Sequence, residues 1–324
     1  MLQAIGRDCG EPAGQAAFLP STRQPFVSGQ SKGSDLTSDE RNSLSPASQL
    51  EDLSGAEKAA VAEQSHPNAA LIHETIRAEG EAELNRTKTA LVLSAFAAGL
   101  SMGFSIVVQG VLQASLPDAP WRPLISSFGY TTGFLIVVLG RQQLFTENTL
   151  TPILPLLHNR DRKTLIKVAR LWSLVLAANI AATWIFAAAL AHFSIFDAGV
   201  QKAFVEISVH AVRGSFGAVV LKSVFAGWLI ALMVWILPAV GSARPFIIII
   251  ITYVVAIAGF SHLIAGSVDA FYAVEAGEAS FADYALRFFL PTLLGNVIGG
   301  VALVAGLNYG QVAPQLADPI LPRT

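Results

Sequence analysis

The sequence predicts an all-α membrane protein with six transmembrane helices, arranged as two inverted three-helix repeats in which the second and fifth helices are broken. Composition is the first reason: 53% of the 324 residues are hydrophobic, only 14% are charged, and the mean hydropathy is +0.54. A soluble domain carries about a quarter charged residues. The second reason is a series of long apolar segments, and the third is a repeat among the polar residues that interrupt them.

The apolar segments are long enough to cross the hydrocarbon layer of a bilayer, which takes about 20 helical residues. Two of them contain polar residues in mid-span, from Leu139 to Pro152 and from Gly259 to Asp269. We expect the helix to break at both places. The six predicted spans are residues 90–116, 123–157, 166–191, 214–238, 245–267 and 286–308.

The polar residues of the two halves recur at similar spacing. Thr146 lies 33 residues before Asn179, and His262 lies 34 residues before Asn296. Each half therefore runs through an intact span, a broken span and an asparagine-bearing span. Because three spans per half is an odd number, the second half must enter the membrane upside down. Inverted repeats with broken helices in matching positions are typical of a transport site near the bilayer midplane.

The rest of the chain divides by composition. Residues 1–70 are rich in Ser, Gly, Pro, Gln and acidic residues, which predicts a disordered cytoplasmic tail because so little apolar surface is available to bury. Residues 71–88 place apolar side chains among charges, as in an amphipathic helix on the membrane surface or a linker helix in water. Residues 89–310 form the membrane domain, and residues 311–324 form a second cytoplasmic tail.

Charge sets the expected orientation and excludes several kinds of protein. Lys and Arg are concentrated in the loop 158–167 and at Arg244, which predicts a bacterial inner-membrane protein with both termini in the cytoplasm. A net charge of −2 offers no basic surface for nucleic acid. Cys9 is the only cysteine and the six histidines lack a paired spacing, so we expect neither a metal nor another cofactor. The absence of a G-x-S-x-G motif around Ser261 and His262 argues against a hydrolase, and we expect no enzyme.

The breaks contain the residues best suited to a solute path. His262 is an imidazole in apolar surroundings, which favours a hydrogen-bond donor or proton relay, the alternative being a histidine that binds a carbonyl freed by the break. Ser261 precedes it on the same loop. Thr146 offers a hydroxyl at the other break, with capping of the next half-helix as the alternative. The half-helices that follow Thr146 and His262 begin near the midplane and present free N–H groups there, which favours an anion. The carbonyl groups that end the preceding half-helices oppose this, so the sign of the net field stays open.

Other side chains near the breaks have more than one interpretation. Asn179 and Asn296 bond either to the broken loops or across helices, and we favour a structural role. Phe145 and Phe260 directly precede the two breaks' polar centres and form either apolar constrictions or ordinary packing contacts.

Three charged residues are also candidates. Lys222 is an intramembrane cation that attracts anions into a vestibule, snorkels to the surface or pairs with an acid such as Glu147. Arg141 and Glu147 flank the first break, so that pairing with each other is a further interpretation.

With these residues located, residues 85–310 resemble the formate/nitrite transporter family. The resemblance is carried by LFTENTL around Thr146, by GFSH ending at His262 and by GNVIGG around Asn296, in the order and spacing of the family. It implies a homopentamer of aquaporin-like protomers, each with its own pore for formate, nitrite or a similar small anion. His262 and Thr146 match the family's central histidine and loop threonine, and Phe145 matches its constriction aromatic. Ser261 and Glu147 depart from the family's usual residues.

The sequence therefore predicts a channel or proton-coupled transporter for a small monovalent weak-acid anion, with protons and the lipid bilayer as its other partners. Two alternatives stay open: an aquaporin-like pore for a small neutral solute, and a membrane scaffold or sensor with a degenerate pore.

Overall fold

The computed structural model describes residues 67–317, which are helical with short connections and contain no strand in that range. The predicted disordered tail therefore lies outside the described residues except for its last four positions. The helices are α1 (Ala69–Leu84), α2 (Lys88–Ser115), α3 (Arg122–Leu139), α4 (Ile153–Asn159), α5 (Arg162–His192), α6 (Ala198–Ala211), α7 (Phe216–Ile236), α8 (Arg244–Ile257), α9 (Leu263–Glu275) and α10 (Phe281–Pro314).

Five of these helices, α2, α3, α5, α7 and α10, are long and apolar enough to cross a membrane. The predicted second span consists of α3 followed by the seven-residue α4. The predicted fifth span consists of α8 and α9, with 14 and 13 residues, which are joined by a short non-helical segment. The two breaks fall in the second and fifth spans, which confirms the fold class.

The first break matches its predicted limits, because α3 ends at Leu139 and α4 begins at Ile153. The second break ends at His262, because α9 begins at Leu263, as expected for a half-helix that follows His262. The helix includes the polar residues up to Asp269. The reason is local: Ser267 donates its hydroxyl proton to the Leu263 carbonyl oxygen at 2.7 Å, so this polar residue is satisfied within the helix.

Two helices outside the predicted spans also differ from the sequence analysis. Helix α6 was not predicted, because its 14 residues are too few to cross the bilayer and do not stand out between the longer apolar segments; it begins where the Asp197 carboxylate accepts a hydrogen bond from the Val200 N–H at 3.0 Å. Helix α1 ends at Leu84 rather than at residue 88, since Thr87 caps α2 by accepting from the Ala90 N–H. Leu84 is buried, so one face of α1 contacts the membrane domain. Its position on the membrane surface stays a prediction.

The two halves pack alike: α2 lies against α5, and α7 lies against α10. A glycine permits each contact. A Cβ on Gly99 of α2 would overlap the backbone of Asn179 on α5, and a Cβ on Gly227 of α7 would overlap the backbone of Asn296 on α10. Close approach at these glycines brings each asparagine against the first helix of its own repeat.

We expect Gly227→Ala to lower stability by about 1–3 kcal/mol, because the added methyl group meets the α10 backbone, which cannot move aside as a side chain would. The measurement is thermal unfolding in detergent, followed by size-exclusion chromatography. Gly217→Ala is the matched control on the same helix, since nothing lies within 4 Å of its added Cβ. Equal melting temperatures for the two variants would contradict the predicted close contact.

Candidate functional site

Asn179 holds the first broken segment in place. Its Nδ2 group donates to the carbonyl oxygens of Ala95 on α2 at 2.6 Å and of Gln143 in the break at 3.0 Å. Its Oδ1 accepts from the Phe145 N–H at 2.9 Å. The amide of Asn179 thus satisfies backbone groups that the interruption of the helix leaves without helical partners.

Asn296 does the same for the second break. Its Nδ2 group donates to the carbonyl oxygens of Ser223 on α7 at 2.8 Å and of Ser261 at 3.0 Å, and its Oδ1 accepts from the Leu263 N–H at 2.9 Å. Each asparagine therefore bonds both to a broken loop and across helices. The two interpretations offered for these residues describe one arrangement.

These hydrogen bonds also fix how the two repeats correspond. Gln143 and Phe145 bond to Asn179 as Ser261 and Leu263 bond to Asn296. In this register His262 corresponds to Leu144, so the sequence-based match of Thr146 with His262 is wrong by two positions. Thr146 belongs to the other repeat and contacts His262, but it is not the repeat equivalent of His262.

His262 and Thr146 are in direct contact at the centre of the domain. The His262 Nε2 lies 2.7 Å from the Thr146 Oγ1, and the two side chains are 1% and 0% exposed. The His262 Nδ1 accepts from the Ala265 N–H at 3.2 Å, which caps α9. Because Nδ1 is the acceptor, the hydrogen-bond network assigns the proton of the neutral ring to Nε2, which donates to Thr146.

This arrangement replaces two of the sequence-based alternatives. His262 does not bind a freed carbonyl; it binds a backbone N–H and a hydroxyl. Thr146 makes no side-chain cap to the turn that follows it. The N–H groups of Leu263 and Ala265 are occupied by Asn296 and His262, so these two donors are not free for an anion.

The predicted constriction aromatics differ in position. The Phe145 side chain is buried against Trp172, with ring centroids 5.7 Å apart, and it lines neither of the two cavities described below. Phe260 lines a cavity beside His262 and stacks on Phe225 at 5.3 Å. The aromatic ring against His262 is Phe134, edge-on at 4.9 Å. Sequence reasoning missed Phe134, because one phenylalanine in an apolar span carries no distinguishing signal.

A cavity of about 360 Å³ lies on one side of the pair, and we call it the His262 cavity. Both Ser261 and Lys222 line it, as predicted for a solute path. Sequence reasoning missed its other polar residues, although Asp269 stands out as a carboxylate in an apolar span. The polar lining residues are Gln109, Tyr130, His210, Arg213, Lys222, Ser261, His262 and Asp269.

A second cavity, of about 310 Å³, is called here the Glu147 cavity. Its polar lining residues are Glu79, Glu83, Arg141, Gln142, Gln143, Glu147, Asn148, Thr151 and Arg244. Helices α7 and α8 each contribute one end to this cavity and the other end to the His262 cavity, and α3 contributes its C-terminal end to this cavity and the mid-helix Tyr130 to the other. The two cavities therefore lie at opposite ends of the same helices, with the breaks between them.

The charged candidates do not pair as suggested. Lys222 and Glu147 line opposite cavities, so the suggested ion pair between them does not form. Arg141 lies 3.6 Å from the Glu79 carboxylate, not beside that of Glu147. The Glu147 Oε1 is buried and has no hydrogen-bond partner within residues 67–317. In the same range no cluster of His, Cys, Asp and Glu is arranged to hold a metal ion.

Comparison with known proteins matches the described domain. The family model for the formate/nitrite transporter covers residues 70–310. The chain is 40% identical over 247 residues to the inner membrane protein YfdC of Escherichia coli (strain K12), covering 76% of this chain and 80% of that protein. It is 26% identical over 248 residues to the formate channel BtFdhC of Bacillus thuringiensis, covering 74% of this chain and 92% of that protein.

Solved structures share the fold at low identity. A pentameric formate channel with formate bound aligns with a TM-score of 0.60 at 19% identity, covering 70% of this chain and 98% of that chain. An ion channel of the FNT family aligns with a TM-score of 0.65 at 17% identity, covering 74% of this chain and 98% of that chain. The family model spans most of the sequence and the architecture agrees with it: the chain belongs to the formate/nitrite transporter family.

Proposed function

We propose that this protein is a channel or proton-coupled transporter for a small monovalent anion of a weak acid, of the formate and nitrite class. The observation that carries the proposal is the buried contact between His262 and Thr146, which lies between two cavities at opposite ends of the same helices. Membership of the family supports it, as does the likeness to a protein named a formate channel. We infer no enzymatic activity.

The chemistry of the pair suits an oxyanion with two oxygens. The His262 Nε2–H is a donor, and Thr146 accepts it while its own hydroxyl proton has no other partner among residues 67–317. A small oxyanion that separates the pair accepts from Nε2–H with one oxygen and from the hydroxyl with the other. Hydrogen bonds to a charged acceptor contribute about 1.5–3 kcal/mol, more than the neutral bond that they replace.

The surroundings of the His262–Thr146 pair favour a solute that passes with little net charge. His262 packs against the Phe134 ring, and the region around these side chains, between the two cavities, is called here the apolar layer. A bare anion at the bilayer centre costs several kcal/mol or more. Lys222 and Arg213 in the His262 cavity attract the anion, and the apolar layer then disfavours its charge. A strong hydrogen bond to His262 or a shared proton relieves this conflict.

The assembly and location follow the same comparison. We propose a homopentamer with one pore in each protomer, in a bacterial inner membrane, with both termini in the cytoplasm. In this orientation the His262 cavity opens to the outside and the Glu147 cavity opens to the cytoplasm. Residues 89–310 form the transport unit, and α1 lies along the cytoplasmic membrane surface.

We expect purified protein in proteoliposomes to carry formate or nitrite at a rate that rises with concentration. The measurement is a flux panel across formate, nitrite, hydrosulfide, acetate and lactate, with glycerol as a neutral solute and protein-free liposomes as the control. Flux of glycerol alone would favour the aquaporin-like alternative. No flux of any solute, from protein that elutes as a folded oligomer, would favour a scaffold or sensor.

We expect His262→Asn to lower anion flux by about tenfold or more while the protein stays folded. Asparagine is a good helix cap and replaces Nδ1 as acceptor of the Ala265 N–H, but the Nε2–H donor is lost. His262→Ala removes both the helix cap and the hydrogen-bond donor, and should either abolish flux or make the flux independent of pH. Thr146→Val deletes one hydroxyl and should lower flux less.

The readouts are initial rate, anion selectivity and pH dependence, with thermal unfolding as the control for folding. In the unchanged protein, uptake should rise as external pH falls toward the range in which the permeant acid is protonated. Unchanged rate, selectivity and pH dependence in His262→Ala would mean that the histidine is structural.

A further inference from the structure

Two carboxyl groups without an assigned role lie on opposite sides of the His262–Thr146 contact. Asp269 lines the His262 cavity, and Glu147 lines the Glu147 cavity. None of the ion pairs between residues 67 and 317 includes either residue. An uncompensated carboxylate repels an anion, so each of these residues hinders an anion path unless it has another task.

We propose that Asp269 and Glu147 are the proton donor and the proton acceptor of an anion–proton symport, each serving the cavity that it lines. The inference rests on the proposed function and adds its coupling mechanism. What it adds is the two carboxyl groups that exchange the proton, one on each side of the central contact, with one proton moved per anion.

His262 is badly placed to supply the proton itself. Its Nε2 already carries a proton, and its Nδ1 lone pair is occupied by the Ala265 N–H at 3.2 Å. A further proton has to bind at Nδ1, where it displaces the cap of α9 and places two N–H groups against each other. His262 therefore donates a hydrogen bond, and the proton that neutralises the anion comes from elsewhere.

Asp269 is met before His262 by a solute that enters the His262 cavity. It follows His262 by about two helical turns on α9, which places it about 10 Å away along the helix axis. The charged and titratable groups that face it across the cavity are Tyr130 from α3, His210 and Arg213 from the end of α6, Lys222 from α7 and His262 itself. The cations among them concentrate anions beside the Asp269 carboxyl group.

Glu147 lines the other cavity, closer to the central contact than Asp269 is. It directly follows Thr146 in the first break, and its Oε1 is buried without a hydrogen-bond partner within residues 67–317. The charged groups that face it are Glu79 and Glu83 from α1, Arg141 from the break and Arg244 from the start of α8. A solute that passes His262 and Thr146 meets Glu147 as it leaves the apolar layer.

The proton transfers balance. In the His262 cavity the O–H bond of protonated Asp269 breaks and a new O–H bond forms on the anion, which leaves a carboxylate and a neutral acid. The neutral acid crosses the apolar layer. In the Glu147 cavity the acid gives its proton to the Glu147 carboxylate and becomes the anion again. Asp269 regains a proton from water on its side, Glu147 releases one to water on the other, and the cycle runs in reverse for efflux.

The test uses radiolabelled formate, or nitrite if the flux panel favours it, in right-side-out and inside-out membrane vesicles that contain the full chain. Asp269→Asn should slow transport from the side of the His262 cavity by about tenfold at neutral pH, because water then replaces a positioned proton donor. The defect should shrink as the pH on that side falls, since the neutral acid is then already present. Glu147→Gln should show the mirror image, with its defect set by the pH on the other side.

Matched variants separate proton transfer from charge and from folding. Glu81→Gln removes a carboxylate of α1 that lines neither cavity, and should leave the flux nearly unchanged. Asp269→Glu and Glu147→Asp keep a carboxyl group and should restore most of the rate. Faster flux in Asp269→Asn and Glu147→Gln, as expected when a repelling charge is lost, would overturn the proposal, and so would defects that do not depend on the pH of one side.

A measurement on the unchanged protein keeps the proposal falsifiable if the variants fail to fold. Symport of one anion with one proton acidifies the vesicle lumen and is not driven by a membrane potential. Transport that carries one net charge per anion would refute the symport while leaving the proposed function intact. A protein that carries no anion at all would instead refute the proposed function.

Discussion

A helix that breaks inside a bilayer leaves backbone N–H and C=O groups where no lipid can bond to them, and this constraint governs the domain. Each unsatisfied group costs several kcal/mol in hydrocarbon. Asn179 and Asn296 meet the constraint with one amide apiece, which bonds to one carbonyl and one N–H at the break and to a second carbonyl on the neighbouring helix. Gly99 and Gly227 allow the helices to approach closely enough for these amides to reach across.

The position of the central pair follows from those amides. Asn296 fixes Ser261 and Leu263 on either side of His262, and Asn179 fixes Phe145 directly before Thr146. With both backbones held, the imidazole and the hydroxyl meet at 2.7 Å between two cavities. The structural residues thus determine where the functional residues lie, and the loss of either amide would displace a side chain that it does not touch.

The sequence predicts the spans from their length and apolar composition. It predicts both breaks, the two asparagines and His262 because a polar residue stands out in an apolar segment. It does not predict which residues meet. Spacing alone matched Thr146 with His262 as repeat equivalents. In the hydrogen-bond register the equivalent of His262 is Leu144, and Thr146 is the residue that contacts His262. The partner of Arg141 is Glu79 on α1, far away in the chain, so no local pattern indicates it. The sequence did not indicate Phe134 because it is one phenylalanine in an apolar span. It did not indicate α6 because that helix is too short to be recognised as a span.

The cap formed by His262 constrains how this path can change in evolution. A replacement at this position has to accept the Ala265 N–H, or the end of α9 frays whatever solute the protein carries. Few side chains both cap a helix and donate a hydrogen bond on their far side. Thr146 makes no such cap, so substitutions there leave the helix ends intact. New substrate preferences are therefore more accessible by single mutations on the Thr146 side of the contact than on the histidine side.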